Sequence, residues 1–332
     1  MPAEAPRRLA GTAPPPGAYD GDINILCLGR LEETKAAIAS ALAQTGGVFH
    51  VSVLDQGSSP EMLHELAACF GRLPGFALYA GESNRGVAAG RNALARLGHG
   101  RIVIGLDNDA RFADEHVAAG ALKRFMAAPE LGAIGFCILA ADGQGPDLTS
   151  WGYPKALLPR YRERFAATCF VGAGHAIRRA AWESVGGYDE SFFFAWEEYD
   201  FCLAAIARGW RVYHEGRLAV IHDPAREGRV CWRGARMTHF IRNRLIIARK
   251  WRQGGLVLAP WLLRYGLVAV LHGCFGAVCA GAGQGLRAPV PTPRKMPGPM
   301  RAYIRAHETS QRGTLLTRLR LELFGRLPAK IN

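Results

Sequence analysis

The feature that most limits how this chain can fold is an alternation, from Ile23 to about Leu139, of short apolar runs with stretches of helical character. The runs are Ile23 to Leu28, Val48 to Leu54, Phe76 to Tyr79, Ile102 to Leu106 and Ala133 to Leu139. Strands separated by helices must be carried back across the sheet by those helices, so the pattern predicts an α/β fold with a mostly parallel central sheet and flanking crossover helices. Ser59, Pro60 and Glu61 form a helix start between the second and third runs, with an N-cap, a proline at N1 and an acid in the first turn. Ligands of such sheets bind at the carboxyl ends of the strands. Asp55 to Ser58, Asn84 to Gly86 and Asp107 to Asp109, which follow three of the runs, therefore become the candidate site residues.

Beyond Leu139 the periodicity weakens. Residues 141 to 168, with Trp151, Gly152, Tyr153 and Pro154, read as a long loop of the kind that is often functional. Order returns near Phe170. Ala180 to Val185 make a short helix ended by Gly186 and Gly187, and Glu197 to Arg208 a helix closed by Gly209. Short strands around Val212 and Val220 then lead to His222.

With 332 residues, 49% hydrophobic and 21% charged, the chain can bury a core, and disorder throughout is excluded. Its net charge of +13 is unevenly placed. Residues 1 to 224 hold 21 basic and 25 acidic side chains, whereas the remainder holds 20 and 3. A basic C-terminal region of this kind expects a polyanionic partner. Nucleic acid is disfavoured because there is no zinc-finger spacing and no aromatic RNA-binding pattern, which leaves an anionic membrane surface or phosphorylated lipid. Between Arg264 and Arg287 lie 22 residues without formal charge, in an apolar stretch that begins at Leu256. About 20 apolar residues suffice to span a bilayer, but Gly266, Gly273, Gly276 and Gly281, with His272, weaken that reading. Both flanks are also rich in Arg, against the positive-inside tendency. An interfacial or re-entrant helix pair on anionic lipid is the favoured reading, with a packed accessory helix and a true span as alternatives.

The eight cysteines include no CxxC pair, which fits a reducing compartment, and residues 1 to 21, with Pro14, Pro15 and Pro16, read as a disordered leader with no secretory apolar core. The expected location is cytoplasmic, peripheral at the inner face of a membrane. The expected organisation is a leader (1–21), an α/β domain (22–253) and a basic, apolar helical region (254–332).

Four features carry chemistry. Asp107 and Asp109 stand two residues apart behind Ile102 to Leu106. Such a pair can hold Mn²⁺ or Mg²⁺, which in turn neutralises a diphosphate, or it can be a solvated turn in which one Asp caps the next helix. Glu197, Glu198 and Asp200 follow the aromatic stretch Phe192 to Trp196. Carboxylates beside apolar rings have raised pKa values suited to a general base, although acids in a first turn also complement the helix dipole. His222, at a strand end, is either a third metal ligand, a phosphate contact or structural. Arg91 and Asn92, just inside the helix after Gly86, are candidates for diphosphate contact, against a surface Arg as the plain alternative.

In this order the segments closely resemble glycosyltransferase family 2, the inverting enzymes of the GT-A fold. The matching stretches are Val53 to Ser58, Asn84 to Asn92, Leu106 to Asp109 (LDND, like the DxD metal motif), Gly186 to Phe194, Trp196 to Cys202, His222 and Arg242 to Lys250. The resemblance implies a nucleotide-diphosphate sugar donor, a divalent metal, and a glycan or lipid-linked acceptor. It implies that Asp55, Asn84, Arg91 and Asp107 serve the donor, and that Asp107, Asp109 and His222 hold the metal. The base falls on Glu198, where the family usually has Asp, with Glu197 as the alternative. The turn after the first strand reads Cys27, Leu28, Gly29, Arg30, unlike the family's Thr-Tyr-Asn-Arg-like turn. The closest branch in pattern is that of rhamnosyl and related cell-envelope sugar transferases. Rival readings are a nucleotidyltransferase, which normally opens on a Gly-rich phosphate loop, and an inactive sugar-binding homologue.

Overall fold

The computed structural model describes residues 5–224, 234–290 and 293–314. A short edge strand β1 (Arg7–Gly11) precedes β2 (Tyr19–Cys27), α1 (Leu31–Leu42), β3 (Phe49–Asp55), α2 (Pro60–Phe70), β4 (Phe76–Ala80), α3 (Gly86–Leu97) and β5 (Gly100–Asp107). The helix start read at Ser59 is realised: its hydroxyl accepts from Met62 N at 3.3 Å, with Pro60 as the first helical residue. Strands β4, β3, β2 and β5 run parallel, and the apolar runs that named them lie at their buried positions.

The second half of the sheet is less regular. A three-residue strand β6 (Ala110–Phe112), α4 (Val117–Ala127), β7 (Leu131–Leu139), β8 (Arg164–Ala167), β9 (Gly174–Arg178), α5 (Arg179–Val185), α6 (Glu197–Ala207) and β10 (Arg211–His222) follow in order. The sheet order is β1-β4-β3-β2-β5-β9-β7-β10-β6, with β8 paired to β10. β9 enters antiparallel between β5 and β7, so the sheet is mixed where mostly parallel was expected. Its five residues include His175 and Arg178 and make no apolar run, which is why the pattern did not announce it. The two short strands read around Val212 and Val220 are one strand, broken in register between Glu215 and Ala219.

The leader also departs from expectation. Arg7 and Arg8 pair with Ala80 and Tyr79, so part of residues 1–21 extends the sheet as an edge strand. Backbone pairing at an edge needs few apolar side chains, so composition alone hides it.

The C-terminal part adds α7 (Ala235–Lys250), α8 (Gly255–Leu271), α9 (Phe275–Arg287) and α10 (Gly298–Ile304). Gly281 and Gly285 let α9 approach α7 closely: a Cβ at these positions would stand 2.5 Å from Thr238 O and 2.8 Å from Arg242 O. Arg249 Nη1 seals the contact with bonds of 2.8 Å to Gly285 O and 2.7 Å to Ala288 O. Among the described residues no helix is long and apolar enough to cross a membrane. The apolar stretch is instead a helix pair, one member of which is packed on the domain through its glycines.

Candidate active site

Strand β5 ends at Asp107, and after Asn108 and Asp109 the chain turns into β6. β6 lies antiparallel to the end of β10 with Ala110 opposite His222, and Asp223 N donates to Asp109 O at 2.8 Å. This pairing brings ligand atoms of Asp107, Asp109 and His222 within 4.8 Å of one another. Asn108 points elsewhere, donating to Gly29 O and to Thr34 Oγ1 at 3.2 and 3.0 Å, and so ties the turn to the start of α1.

Two carboxylates and one imidazole, each part-buried, are an appropriate donor set for a divalent ion such as Mn²⁺. The charges around it agree. Arg30, in a left-handed conformation (φ 64°), pairs with Asp109, while Arg91 Nη2 meets Asp107 Oδ1 at 2.5 Å. Burial raises Asp107 and the neighbouring Asp109 adds to this, although Arg91 opposes both. Burial would raise Asp109 too, but bonding to His222 and Arg30 carries it below the usual carboxylate range. Burial lowers His222, yet its bonds to Asp109 and Asp147 outweigh that and push it up to about 9.

Arg91 is 4% exposed and is no surface residue. It fits beneath the sheet because β5 has Gly105, where a Cβ would lie 2.4 Å from Arg91 Nη1. The same Nη2 donates to Gly172 O at 2.9 Å. Glu198 lies on the other side of that glycine: a Cβ on Gly172 would come within 2.2 Å of Glu198 Oε1. Burial pushes Glu198 up to about 7. Glu197 is 3% exposed, and burial together with Glu198 raises it well above the carboxylate range. Glu198 is half-buried whereas Glu197 is buried, so of the two Glu198 is the more accessible.

The turn before these acids is strained. Ala195 (φ 68°) and Trp196 (φ 74°) are both left-handed without being glycine, a conformation that persists only where its surroundings enforce it. Asn243 of α7 supplies that enforcement, donating through Nδ2 to Phe194 O and Ala195 O, each at 2.9 Å. From the same helix, Arg242 binds Ser191 O at 2.9 Å and Lys250 binds Asp189 and Asp200 at 3.1 and 2.6 Å. The stretch Arg242 to Lys250 therefore works as a clamp on the loop that presents Glu198.

Three other expected contact residues also bond the protein's own turns. Asn92 is buried and exchanges bonds of 2.9 Å with Tyr188 N and O, so it holds the loop and is not free to meet a diphosphate. Asp55 is 1% exposed and accepts from Gly57 N and Ser58 N at 2.9 and 3.0 Å and from the Ser58 hydroxyl. Asn84 is exposed and accepts from Gly86 N at 2.9 Å, closing the turn that leads into α3. The sequence gives no role to Arg30, Asp147 or Gly172, and carries Asn243 only within the stretch Arg242 to Lys250, since each matters through a partner far away in the chain.

A mixed α/β sheet that gathers Asp107, Asp109 and His222 beside Glu198 at its strand ends is that of a GT-A type glycosyltransferase. Residues 22–186, about half of the chain, match the family model described as Glycosyl transferase family 2. Solved structures share the fold. That of GalNAc-T7 with UDP, GalNAc and Mn²⁺ gives a TM-score of 0.61 at 15% identity, over 83% of this chain and 59% of that one. The mannosyltransferase PcManGT of Pyrobaculum calidifontis with GDP-Man and Mn²⁺ gives 0.56 at 18%, over 96% and 90%. Residues 1–349 of S. aureus TarS with UDP-GlcNAc give 0.57 at 13%, over 92% and 90%. No curated protein matches the sequence.

Proposed function

We propose that this chain is a metal-dependent, inverting glycosyltransferase that moves a sugar from a nucleotide-diphosphate donor to a glycan or lipid-linked acceptor, in the manner of the rhamnosyltransferase-like branch. The carrying observation is the path Asp107–Arg91–Gly172–Glu198, which sets a metal-binding triad and a half-buried carboxylate with a raised pKa side by side. Asp107, Asp109 and His222 would hold a divalent ion, which would supply charge stabilisation to a departing nucleoside diphosphate. Asp55 and Asn84 border the nucleotide end of the site, and Arg91 keeps Asp107 charged and oriented. Glu198 takes the proton of the acceptor hydroxyl as that oxygen attacks the anomeric carbon from the face opposite the leaving group, which inverts the configuration. The known complexes of similar fold hold uridine and guanosine diphosphate donors, so those sugars are the first to assay with Mn²⁺. Failure of all of them to be hydrolysed, transferred or bound would overturn the proposal.

Gly172 gives a further prediction. Gly172→Ala pushes a methyl into the place of the Glu198 carboxylate, and a misplacement near 1 Å can cost about 10²-fold in rate. Turnover should fall by roughly that factor while donor affinity, read by calorimetry, stays within about threefold. Unchanged turnover would show that Glu198 does not act from where it stands.

The acceptor side of the proposal includes a membrane at the cytoplasmic face. Leu263, Leu267 and Leu271 lie on one face of α8 and are exposed, as are Val270 and Phe275 at the turn into α9. Exposed apolar stripes beside basic flanks are fitted to the interface of anionic lipid. The full chain should float with vesicles containing anionic phospholipid and less so with neutral ones, and Leu267→Glu with Leu271→Glu should abolish flotation. Equal behaviour of the variant would remove α8 from the contact.

A further inference from the structure

The long loop between β7 and β8 contains a buried carboxylate that the reaction as described does not use. Asp147 is 5% exposed, and its position is fixed by its backbone: Asp147 N donates to Ile138 O at 2.9 Å. Its Oδ1 accepts from Thr149 N at 2.9 Å and Thr149 Oγ1 at 2.6 Å. Its Oδ2 accepts from Ser150 Oγ at 2.8 Å and faces His222 Nδ1 at 2.8 Å. The other nitrogen of that ring, Nε2, points to Asp109 Oδ1 at 3.4 Å.

We infer that Asp147 is the positioning residue of the metal site: by taking the Nδ1–H of His222 it fixes which ring nitrogen carries the proton and turns the Nε2 lone pair toward Asp107 and Asp109. The inference rests on the metal reading above and adds a residue to it. A histidine can ligate only through a nitrogen free of its proton, and a carboxylate on the opposite nitrogen orients the ring and raises its basicity. The Ser150 hydroxyl also lies 3.2 Å from Nδ1, but its proton is directed to Asp147 Oδ2, so the carboxylate is left as the acceptor for the ring. Asp147 is itself anchored by Thr149 and Ser150, so the ring is held by a rigid group. Its carboxyl is kept well below the usual range, because bonds to His222, Thr149 and Ser150 overcome its burial.

The test is the Mn²⁺ affinity of the full-length protein, measured by calorimetry or by electron paramagnetic resonance of the free ion, with no nucleotide present. Asp147→Asn, which keeps size and most hydrogen bonds, should weaken Mn²⁺ binding by about 10- to 100-fold. In a His222→Ala background the same change should have no further effect, since Asp147 acts through the ring. A merely structural role would weaken binding equally in both backgrounds and would overturn the inference, as would an Asp147→Asn affinity equal to that of the unmodified protein. If the unmodified protein itself binds no Mn²⁺ although sugar transfer proceeds, the metal reading fails and Asp147 loses its assigned role with it, whereas the family assignment stands.

Discussion

Asp109→Ala should lower metal-dependent sugar transfer by about 10³-fold or more and leave the protein folded. The size follows from the charge it removes: a metal ion stabilising a leaving group contributes several kcal/mol, and each ~1.4 kcal/mol is a factor of ten in rate. The fold should survive because neither partner of Asp109 is stranded. Arg30 keeps Glu33 at 3.2 Å and the carbonyl of Asp223 at 2.9 Å, and His222 keeps Asp147 at 2.8 Å. Initial rates across a Mn²⁺ titration, with a thermal melt of the same preparation, read both halves of the expectation. A variant that regains full rate at high Mn²⁺ has lost affinity only, and one that is fully active at all concentrations would remove Asp109 from the site.

Glu198→Gln should lose about 10²- to 10⁴-fold in turnover, the usual worth of a positioned general base, with donor affinity nearly unchanged. The pH profile gives an independent reading. A base must be deprotonated to act, so with its pKa at about 7 the unmodified protein should gain kcat/KM as pH rises through 7 and level off above it. The measurement belongs at saturating Mn²⁺, since His222 must shed its own proton to ligate and would otherwise add a second rising limb. The Gln variant should show no limb near 7. If its turnover is unchanged, the role moves away from Glu198. Glu197 is then the less accessible heir: it is 3% exposed, and one of its oxygens is buried without a hydrogen-bond partner.

Part of this candidate site is legible in the sequence. Asp107 and Asp109 announced themselves by standing just past an apolar run, because a strand end is where a parallel sheet exposes its ligand face. Glu198 is marked in the sequence by acids that follow Phe192 to Trp196, and in the structure it is burial that raises it. Asn92 and Asp55 carry similar cues for ligand contact, and both also bond the protein's own turns. Whether a buried amide or carboxylate faces a ligand or a loop is a matter of direction, on which residue type is silent. The glycine-rich apolar stretch was ambiguous for the same reason. Gly281 and Gly285 serve close helix packing on α7, while Leu263, Leu267 and Leu271 on the partner helix stay exposed.

What the sequence determined by itself was local: the strand and helix periods, the cap at Ser59, and the carboxylates placed where strands end. Tertiary structure alone decided which of these meet. β9 slips in antiparallel beside β5, and the three residues of β6 pair with the end of β10, setting His222 beside Asp109, a residue 113 positions earlier in the chain. Asn243 and Lys250 likewise hold a loop some fifty residues earlier. Such partners share no spacing that a period could reveal, because long-range pairing is selected by the burial and register of the whole sheet.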